Sequence, residues 1–579
     1  MTQGFFEKGR IMTWSLKRLL SYLWQRFYRL HSQGLPWYVV FPVVTAYYTG
    51  VLNLQLLSHF YRILSENDAV GTVFSLTPPL VLFAILTVVF LCFLFRIVFK
   101  TIMVFLILAG AMVGHFAYSY GIIFDYDMMV NLLQTNTAEA VTYINFKSVA
   151  NTLIFGILPA ALLLFIKIRW PKTWLQAISG RLGFLAGAVL ILLGIAAAYY
   201  QNYASICRNH NILRKEISPY NFVWFGFKAV KQTYFPAKIV FNKVGGDALI
   251  DNPGERPELF VVVLGETARA QNFKHNGYKR DTTPYTENLP AANFVKFAPV
   301  ESCGTATAVS VPCMFSIMKR KEYDETKAYN SSSLADILKY AGYKVFWYDN
   351  DGGCKGVCER IPHENIDPAS SAFSGLCKNG SCYDEVLLKK LKLKLADSAA
   401  HKKSTVIFLH LIGSHGPTYF ERVPDDKKIF KPSCERGDIE NCSIDEIVNA
   451  YDNTLVYTDY VLSKVVEALK PYQKNFGTAM FYISDHGESL GENGLFLHGA
   501  PYAIAPDEQT KVPMMSWFSD SFIKDHHMNM QCLTDYAKKG GLSQDNFYHS
   551  LLGILDANTS FYDEKMDLFS SCRKWVRSK

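Results

Sequence analysis

The apolar residues of the chain are concentrated in its first third. Five stretches each approach the ~20 apolar residues that a helix needs to cross a bilayer: 37–60, 74–95, 101–123, 150–168 and 182–200. The second reads PPLVLFAILTVVFLCFLF, which is apolar on every face rather than along one stripe. The pattern therefore predicts five transmembrane helices. Five buried helices of a soluble protein are the less favoured alternative.

Basic residues set the expected orientation of these helices. Residues 1–37 carry several Lys and Arg against a single acid, Glu7, whereas the connections 61–73 and 124–149 are mainly acidic. The positive-inside rule then places the N-terminus in the cytoplasm. Five crossings put everything after residue 201 outside the cytoplasm.

Three domains follow from this division. We expect a transmembrane domain at 1–201, a bridging segment at 202–250 and a globular periplasmic domain at 251–579. Within the bridge, Asn221–Pro236 combines aromatic residues with lysines, which favours a helix lying on the membrane surface. A plain linker is an equally good interpretation of that stretch.

The region after residue 250 has the pattern of an α/β domain. Short, almost continuously apolar runs are typical of strands buried on both faces. They occur at Leu259–Leu264, Lys344–Tyr348, Thr405–Leu409, Ala479–Ile483 and Val512–Trp517. Helical patterns lie between them, for example at Ser333–Ala341 and Ile444–Leu469. This alternation predicts a mostly parallel sheet covered by helices.

Composition agrees with a membrane protein that carries a globular domain. Of 579 residues, 50% are hydrophobic and 19% are charged, which excludes a disordered or fibrous chain. The formal net charge of +8 comes from 59 basic and 51 acidic residues. An excess this small is no argument for nucleic acid, and near a bilayer it suits anionic lipid.

Eight of the twelve cysteines fall in close pairs, whereas Cys92, Cys207, Cys532 and Cys572 are scattered. The close pairs are Cys303/Cys313, Cys354/Cys358, Cys377/Cys382 and Cys434/Cys442. Outside the cytoplasm such pairs are expected to form disulfides, here between nearest neighbours. Thiolate zinc sites are the alternative.

Polar residues cluster just beyond the ends of the predicted strands, where parallel sheets hold their ligands. Glu266 follows the first strand, His410 and His415 follow the third, and Asp485 with His486 follow the fourth. Two carboxylates and an imidazole form an acceptable zinc set. A polar turn is the alternative for Asp-His-Gly alone.

A nucleophile is expected in the stretch CGTATAVS, which leads into a predicted helix at Val311–Met318. A hydroxyl at a helix N-terminus lies where a phosphate is favoured, and a bound zinc ion would activate it. Thr305, Thr307 and Ser310 are all candidates on this basis. All three also suit a purely structural role as helix caps.

Five long motifs carry a resemblance to a known family. They are GETARAQNF (265–273), ESCGTATAVSVPCMFS (301–316), GSHGPTYF (413–420), AYDNTLVYTD (450–459) and SDHGESLGENGLFLHGAPYAIAP (484–506). In these, the chain resembles the bacterial lipid A phosphoethanolamine transferases, the group that includes the mobile colistin-resistance enzymes. They belong to the alkaline phosphatase/sulfatase superfamily. The resemblance extends over nearly the whole chain, including the five spans.

The resemblance implies a role for individual residues. It makes Thr307 the nucleophile and a zinc ligand, with Glu266, Asp485 and His486 completing the site for one tightly bound Zn²⁺. It places Lys355, His415 and His498 at the phosphoryl group, and the two histidines also suit a further zinc. Near the donor head group it places Asn131, Thr135 and Glu139, whose spacing of four predicts one face of a helix.

The implied activity is a two-step transfer in the bacterial inner membrane, by a multi-pass and monomeric protein with a periplasmic catalytic domain. Thr307 attacks phosphatidylethanolamine, diacylglycerol leaves, and a phosphate of lipid A then takes the phosphoethanolamine from the threonine. The added ethanolamine cation weakens the binding of polymyxin and other cationic peptides.

Several alternatives remain open. The same site would serve a core heptose, Kdo or another glycan as acceptor. A phosphoglycerol transferase or a sulfatase would share the fold. A catalytically silent lipid-binding or sensor protein is disfavoured because Thr307 and the metal ligands are all present.

Overall fold

The structure is a computed structural model. It describes residues 32–65, 72–135, 137–210, 212–235, 240–251, 254–437 and 439–574. The basic residues of the N-terminal stretch 1–37, on which the predicted orientation depends, lie outside these ranges. The chain divides into two compact units, of which the first comprises Phe146–Val223 and the described residues up to Ser119. The second comprises Tyr120–Asn145 and Trp224 onward.

The α-helices of six residues or more are numbered here along the described chain. They are α1 (Trp37–Gly50), α2 (Leu54–Ser65), α3 (Thr77–Leu91), α4 (Phe99–Tyr120), α5 (Tyr126–Gln134), α6 (Thr137–Thr142), α7 (Phe146–Thr152), α8 (Leu158–Phe165), α9 (Trp174–Asn209), α10 (Gly226–Tyr234), α11 (Thr307–Met314), α12 (Leu334–Ala341), α13 (Glu385–Ala400), α14 (Ile444–Leu469), α15 (Asp520–Asp525), α16 (Met530–Ala537) and α17 (Asp545–Ile554).

Within the described residues, four helical stretches are long and apolar enough to cross a membrane. They are Val73–Leu91, Phe99–Tyr120, Phe146–Phe165 and Trp174–Tyr203. The predicted first span is instead a pair, α1 and α2, bent by 56° at a short break, and it gives a fifth crossing if the pair is one span. At the break, the buried Asn53 amide donates to Tyr48 O at 2.9 Å and to Ser218 O at 3.0 Å. The first bond satisfies a carbonyl that a continuous helix would have bonded itself, and the second ties the break to Ser218.

The second unit is built on a seven-stranded sheet. Its strands are β1 (Glu258–Gly265), β2 (Phe294–Lys296), β3 (Lys344–Asp349), β4 (His363–Asn365), β5 (Thr405–His410), β6 (Gly477–Ser484) and β7 (Met514–Phe518). The spatial order is β2-β7-β6-β1-β5-β3-β4, and the five strands from β6 to β4 are parallel. The predicted mostly parallel α/β sheet is confirmed.

One predicted strand differs from the expectation. The run Val512–Trp517 is divided by Pro513, which cannot donate a ladder hydrogen bond. Lys511–Val512 pairs with Val300–Glu301, and β7 joins the main sheet antiparallel to both of its neighbours.

Helices α12 and α14 begin within one residue of their predicted positions, because each has a complete capping box. Ser333 with Asp336 caps α12, and Ser443 with Glu446 caps α14. In each box the serine accepts from the third helical N–H while the acid accepts from the serine N–H. Each helix thus starts at a position that the sequence specifies.

The structure contains the four expected disulfides and one more. The expected four are Cys303–Cys313, Cys354–Cys358, Cys377–Cys382 and Cys434–Cys442. The fifth joins Cys532 to Cys572 across 40 residues of sequence, a separation at which nearest-neighbour pairing gives no signal. Cys92 and Cys207 are free thiols.

Residues Tyr120–Asn145, which we call the linking segment, belong to the second unit although they lie between two predicted spans. On α5, Val130 packs with Ala229 of α10 and Ala308 of α11 in a small apolar cluster. The division at 201 and 250 remains a prediction, and the linking segment is a further part of the chain that contributes to the catalytic unit.

Candidate active site

The site lies at the carboxyl ends of the central strands. Glu266 directly follows β1, and Asp485 and His486 directly follow its neighbour β6, so parallel pairing brings the three together. All three side chains are fully buried. Gly413 of the loop after β5 adopts φ 49°, and a Cβ there would lie 2.7 Å from Glu266 O. Only glycine therefore lets this loop pass the site so closely.

Three donor atoms converge in this arrangement. His486 Nε2 lies 3.4 Å from a carboxylate oxygen of Glu266 and 3.4 Å from one of Asp485. The three residues form a group whose ligand atoms all lie within 4.8 Å of one another. His486 Nδ1 is 2.8 Å from Gly487 O, which fixes the proton on Nδ1 and leaves Nε2 with its lone pair.

Burial and charge both indicate that this group holds a cation. Glu266 Oε1 and Asp485 Oδ2 are buried with no hydrogen-bond partner. Burial and the adjacent Asp485 carboxylate raise the pKa of Glu266 well above its ordinary value. Two buried carboxylates with unsatisfied oxygens are costly unless a positive ion lies between them. The donor set therefore fits a metal ion, and two oxygens with one imidazole nitrogen suit zinc.

Of the three candidate hydroxyls, Thr307 faces this group. Its Oγ1 donates to Glu266 Oε2 at 2.9 Å and lies 3.3 Å from His486 Nε2. The other two are engaged elsewhere: Thr305 donates to Ala500 O at 2.6 Å, and Ser310 bonds Asp485 O at 2.5 Å. The geometry thus singles out Thr307 among the three candidates, which composition alone could not do.

Thr307 begins helix α11, so the predicted helix at Val311–Met318 starts four residues too late. Ala306 is extended and ends the preceding loop, and the small residues between 306 and 310 gave no apolar periodicity to reveal the first turn. The Cys303–Cys313 disulfide ties that loop to the helix. The nucleophile candidate therefore lies at the positive end of the helix dipole.

Two further histidines stand beside the metal group. The His498 ring centroid is 4.6 Å from that of His486 and 5.4 Å from that of His415. His498 Nδ1 lies 2.8 Å from Glu488 Oε2, while Tyr419 donates to the other oxygen of Glu488 at 2.6 Å. Glu488 thereby orients His498. Burial, and then the charge of His498, lower the pKa of His415 well below its ordinary value.

The residues after β3 complete the site, and sequence reasoning found only one of them. Lys355 adopts φ 49° in a loop closed by Cys354–Cys358, and its ammonium lies 3.5 Å from Gly352 O. Asp351 was missed. Its carboxylate forms a second candidate metal group with Glu266 and His415. The signal was present, since Asp349-Asn350-Asp351 follows the predicted strand Lys344–Tyr348 as Gly265-Glu266 follows Leu259–Leu264.

His410 is the last residue of β5. Its Nδ1 is paired with a carboxylate, so this nitrogen is not available to bind a metal ion. That nitrogen lies 2.8 Å from Asp349 Oδ2, and both side chains are fully buried. Burial alone would lower the pKa of His410, but the charge and hydrogen bond of Asp349 raise it to about 9. The pair lies beside Asp351, whose Oδ2 is 3.9 Å from His410 Nε2.

The expectation of one helix carrying Asn131, Thr135 and Glu139 is wrong. Helix α5 ends at Gln134, Thr135 is extended, and Glu139 belongs to α6. The hydroxyl of Thr135 donates to Asn131 O at 3.0 Å, an i−4 bond that competes with helix continuation. The Glu139 side chain lies outside the described residues.

The linking segment nevertheless reaches the site. A Cβ at Gly499, next to His498, would lie 3.3 Å from Met128 Sδ on α5. On the same helix, Tyr126 donates to Glu325 Oε2 at 2.6 Å, and Lys228 stacks 4.3 Å from the Tyr126 ring centroid. These contacts, with the Val130–Ala308 packing, anchor α5 against the helix that begins at Thr307.

Two family models match the chain. Residues 258–557 match the sulfatase family, and residues 82–234 match the family described as phosphoethanolamine transferase EptA/EptB. The first match lies within the unit that contains the metal group. The second match begins within the second predicted span and ends within the predicted bridge.

Individual relatives align over most of the chain. A phosphoethanolamine transferase EptA from Escherichia coli K12 is 38% identical, over 92% of this chain and 96% of the relative. The phosphatidylethanolamine transferase Mcr-1 from Escherichia coli is 34% identical, over 83% and 89% respectively. Among solved structures, the integral membrane lipooligosaccharide phosphoethanolamine transferase A from Neisseria meningitidis is 36% identical. It has a TM-score of 0.88 and covers 93% of this chain and 99% of that protein.

Proposed function

The chain belongs to the phosphoethanolamine transferase family, and from that premise we propose that it moves phosphoethanolamine from phosphatidylethanolamine to a phosphate of lipid A. It is an inner-membrane enzyme with a periplasmic catalytic unit. The observation that carries the proposal is the Thr307 hydroxyl, held at 2.9 Å by Glu266 inside the carboxylate–histidine group.

We assign Glu266, Asp485 and His486, together with Thr307, to a zinc ion. When bound there, zinc would act as a Lewis acid that lowers the pKa of the threonine hydroxyl and polarises the phosphoryl oxygens. The orphaned oxygens of Glu266 and Asp485 are the support for this assignment.

In the first step, Thr307 Oγ1 attacks the phosphorus of phosphatidylethanolamine and its proton passes to Glu266 Oε2, the present hydrogen-bond acceptor. A Thr–O–P bond forms, and the bond to the diacylglycerol oxygen breaks as that oxygen takes the proton from Glu266. In the second step, an oxygen of the lipid A phosphate attacks the same phosphorus and the proton of that phosphate passes to Glu266. The threonine oxygen then leaves and takes this proton from Glu266.

The remaining residues stabilise the negative charge on the phosphoryl group during these steps. His415, His498 and Lys355 are assigned to the phosphoryl oxygens, with His498 oriented by Glu488. Loss of one such contact is expected to cost about 2.7–4 kcal/mol if it is comparable to an oxyanion-hole donor. Asn131 and Thr135 are assigned to the donor head group, because α5 anchors against helix α11. Glu139 keeps this assignment from the family resemblance alone.

The test is mass spectrometry of lipid A from cells that express the intact chain, the Thr307→Ala variant or neither. Addition of one phosphoethanolamine by the intact chain alone is expected, together with reduced polymyxin binding to those cells. If lipid A is unchanged while the protein is folded in the membrane, the proposed acceptor is wrong. A phosphoethanolamine mass on core heptose or Kdo would then identify the second candidate.

A further inference from the structure

The loop after β3, residues 349–357, contributes to two cavities that differ in their charged groups. Residues 349–352 line a cavity of about 320 Å³ together with Glu421 and with helix α6, which carries Glu139. Because Glu139 is assigned to the donor head group, that cavity belongs to the donor side of the site. Residues 355–357 line a different cavity of about 240 Å³, which we call the basic cavity.

The charged groups of the basic cavity are all positive. Lys327, Lys355 and Arg360 line it, and no carboxylate is among the described residues that do so. Three consecutive serines, 331–333, add hydroxyl groups. Arg360 is paired with Asp336, whereas neither lysine forms an ion pair with a described residue. Cationic side chains beside hydroxyl groups are the donors that bind a phosphate, so the lining favours a phosphate-bearing ligand.

Lys355 connects the basic cavity to the reaction centre. It is assigned above to the phosphoryl oxygens, and its charge adds to burial in lowering the pKa of His415. From there the cavity follows helix α11, since Pro312 and Phe315 also line it. At about 1.5 Å of rise per residue, these two residues lie roughly 8 and 12 Å along the helix from Thr307. A ligand with one phosphate at Thr307 and another roughly 8–12 Å away can therefore occupy both places.

The walls of the basic cavity are held in place by contacts within the protein. The Cys354–Cys358 disulfide closes the loop that carries the lysine. A Cβ at Gly356 would overlap the ring of Tyr329, so this loop packs directly against that ring. Arg360 Nε donates to Asp336 Oδ2 at 2.8 Å, which orients the guanidinium. The positive groups are thus pre-organised, which lowers the entropy lost when a ligand binds.

We propose that the basic cavity is a subsite for the second phosphate of the acceptor, the one that is not being modified. Lipid A is a glucosamine disaccharide with a phosphate at each end. One phosphate accepts the group carried by Thr307 while Lys327 and Arg360 bind the other. This inference rests on the proposed function and names the part of the acceptor that the site selects. Lys327 is a specificity residue in this scheme.

The test compares lipid A that carries both phosphates with lipid A that carries one, using the full-length protein in detergent. The monophosphorylated lipid must place its only phosphate at Thr307 to react, so it has none for the basic cavity. Release of diacylglycerol from phosphatidylethanolamine without acceptor reports the donor step separately. The variants are Lys327→Ala, which removes the charge, and Lys327→Arg, which keeps it. The control is Lys321→Ala, at an exposed lysine outside the cavity lining.

In the unmodified protein, KM should be at least about fivefold lower for the lipid with two phosphates, the size of one exposed charge contact. Lys327→Ala should raise that KM about fivefold and leave unchanged both the KM for the monophosphorylated lipid and the release of diacylglycerol. Lys327→Arg and Lys321→Ala should change none of these. The difference between the two lipids should shrink as ionic strength rises, which a purely structural role of Lys327 would not produce.

Three results would overturn the inference: an equal rise of KM for both lipids in Lys327→Ala, an unchanged KM for both, or a parallel loss of diacylglycerol release. Binding to the Thr307→Ala variant separates these from a failure of the proposed function, because that variant binds lipid without turnover. It should bind the lipid with two phosphates about fivefold more tightly, and adding Lys327→Ala should remove most of that preference. The same preference in a protein that releases no diacylglycerol would support the phosphate subsite and contradict the proposed function.

Discussion

Strand β1 has a buried glutamate at each end, and the surroundings of the two differ. Glu258 is the first residue of the strand, and Glu266 directly follows the last. Glu258 accepts from Tyr343 at 2.7 Å with one oxygen and lies 3.0 Å from His526 Nε2 with the other. Glu266 has one oxygen bonded to Thr307 and one with no partner, beside a second carboxylate.

The surroundings of Glu258 continue as a chain of alternating charges. His526 Nδ1 lies 3.3 Å from Asp556, whose other oxygen lies 3.0 Å from Arg573. This charged cluster lies at the amino end of β1, and its carboxylates are paired. At the carboxyl end, one oxygen of Glu266 and one of Asp485 have no hydrogen-bond partner. A buried charge that is paired within the chain supports the fold, and one left unpaired requires a ligand. The difference separates the stabilising end of the sheet from the catalytic end.

The largest expected effect is at the catalytic end. Thr307→Ala should reduce transfer by at least about 10³-fold, because removal of a covalent nucleophile leaves only binding and electrostatic stabilisation. Zinc content and Tm should stay near those of the unmodified protein. Zinc content is measured by elemental analysis and transfer by lipid A mass spectrometry.

Thr305→Ala is the matched control for that experiment. It removes a threonine hydroxyl two residues away that bonds Ala500 O rather than the metal group. It should cost about 1 kcal/mol of stability and leave most of the activity. Equal losses of activity in the two variants would show that Thr307 has a structural rather than a nucleophilic role.

The second effect is at the stabilising end. Glu258→Gln should lower the stability of the catalytic unit by about 3 kcal/mol, because it breaks a buried ion pair and leaves Asp556 as the remaining carboxylate beside His526. We expect a fall in Tm of several degrees with kcat per folded molecule unchanged. A loss of kcat without a loss of Tm would contradict the proposed division of the sheet.

The sequence alone predicts the strands and the residues that directly follow them, because both depend on local patterns. Four of the five apolar runs are parallel strands within a residue or two of the predicted bounds, because burial on both faces gives a continuous apolar signal. Glu266, Asp485 and His486 were identified by their position after such strands. The three hydroxyls of the CGTATAVS stretch were left unresolved until motif resemblance, and then geometry, singled out Thr307.

The charged cluster at the other end of β1 could not be predicted. Glu258, His526, Asp556 and Arg573 are separated by up to about 300 residues and no motif joins them. The Cys532–Cys572 disulfide was missed for the same reason. Asp351 differs from these, because it follows the predicted strand Lys344–Tyr348 and is therefore predictable from the sequence.

The third effect concerns a Glu→Gln substitution at the carboxyl end of β1, to be compared with Glu258→Gln at its amino end. Glu266→Gln should abolish the response of Tm to zinc, which in the unmodified protein corresponds to about 2.7 kcal/mol at 100 times Kd. Without metal, the variant should be more stable than the unmodified protein, because the repulsion from Asp485 is removed. Thermal unfolding with zinc and with a chelator measures both. A variant that still gains stability from zinc would exclude Glu266 as a ligand.

The smallest effect is a pH dependence confined to the charged cluster. Burial alone would lower the pKa of His526, but Glu258 and Asp556 raise it to about 9, against 6.5 in the unfolded chain. Because the folded-state pKa is the higher one, this stabilisation is complete below pH 6.5 and is lost as pH rises through 9. The pKa difference of about 2.5 units corresponds to about 3.5 kcal/mol when complete, at about 1.4 kcal/mol per unit. About 2.5 kcal/mol of this is lost between pH 6.5 and 9. His526→Gln should therefore flatten the decline of Tm between pH 6.5 and 9, whereas the exposed His401→Gln should not. If both variants decline as steeply as the unmodified protein, the imidazolium of His526 does not hold this end of the sheet together, and the pairing with Glu258 acts through hydrogen bonding rather than charge.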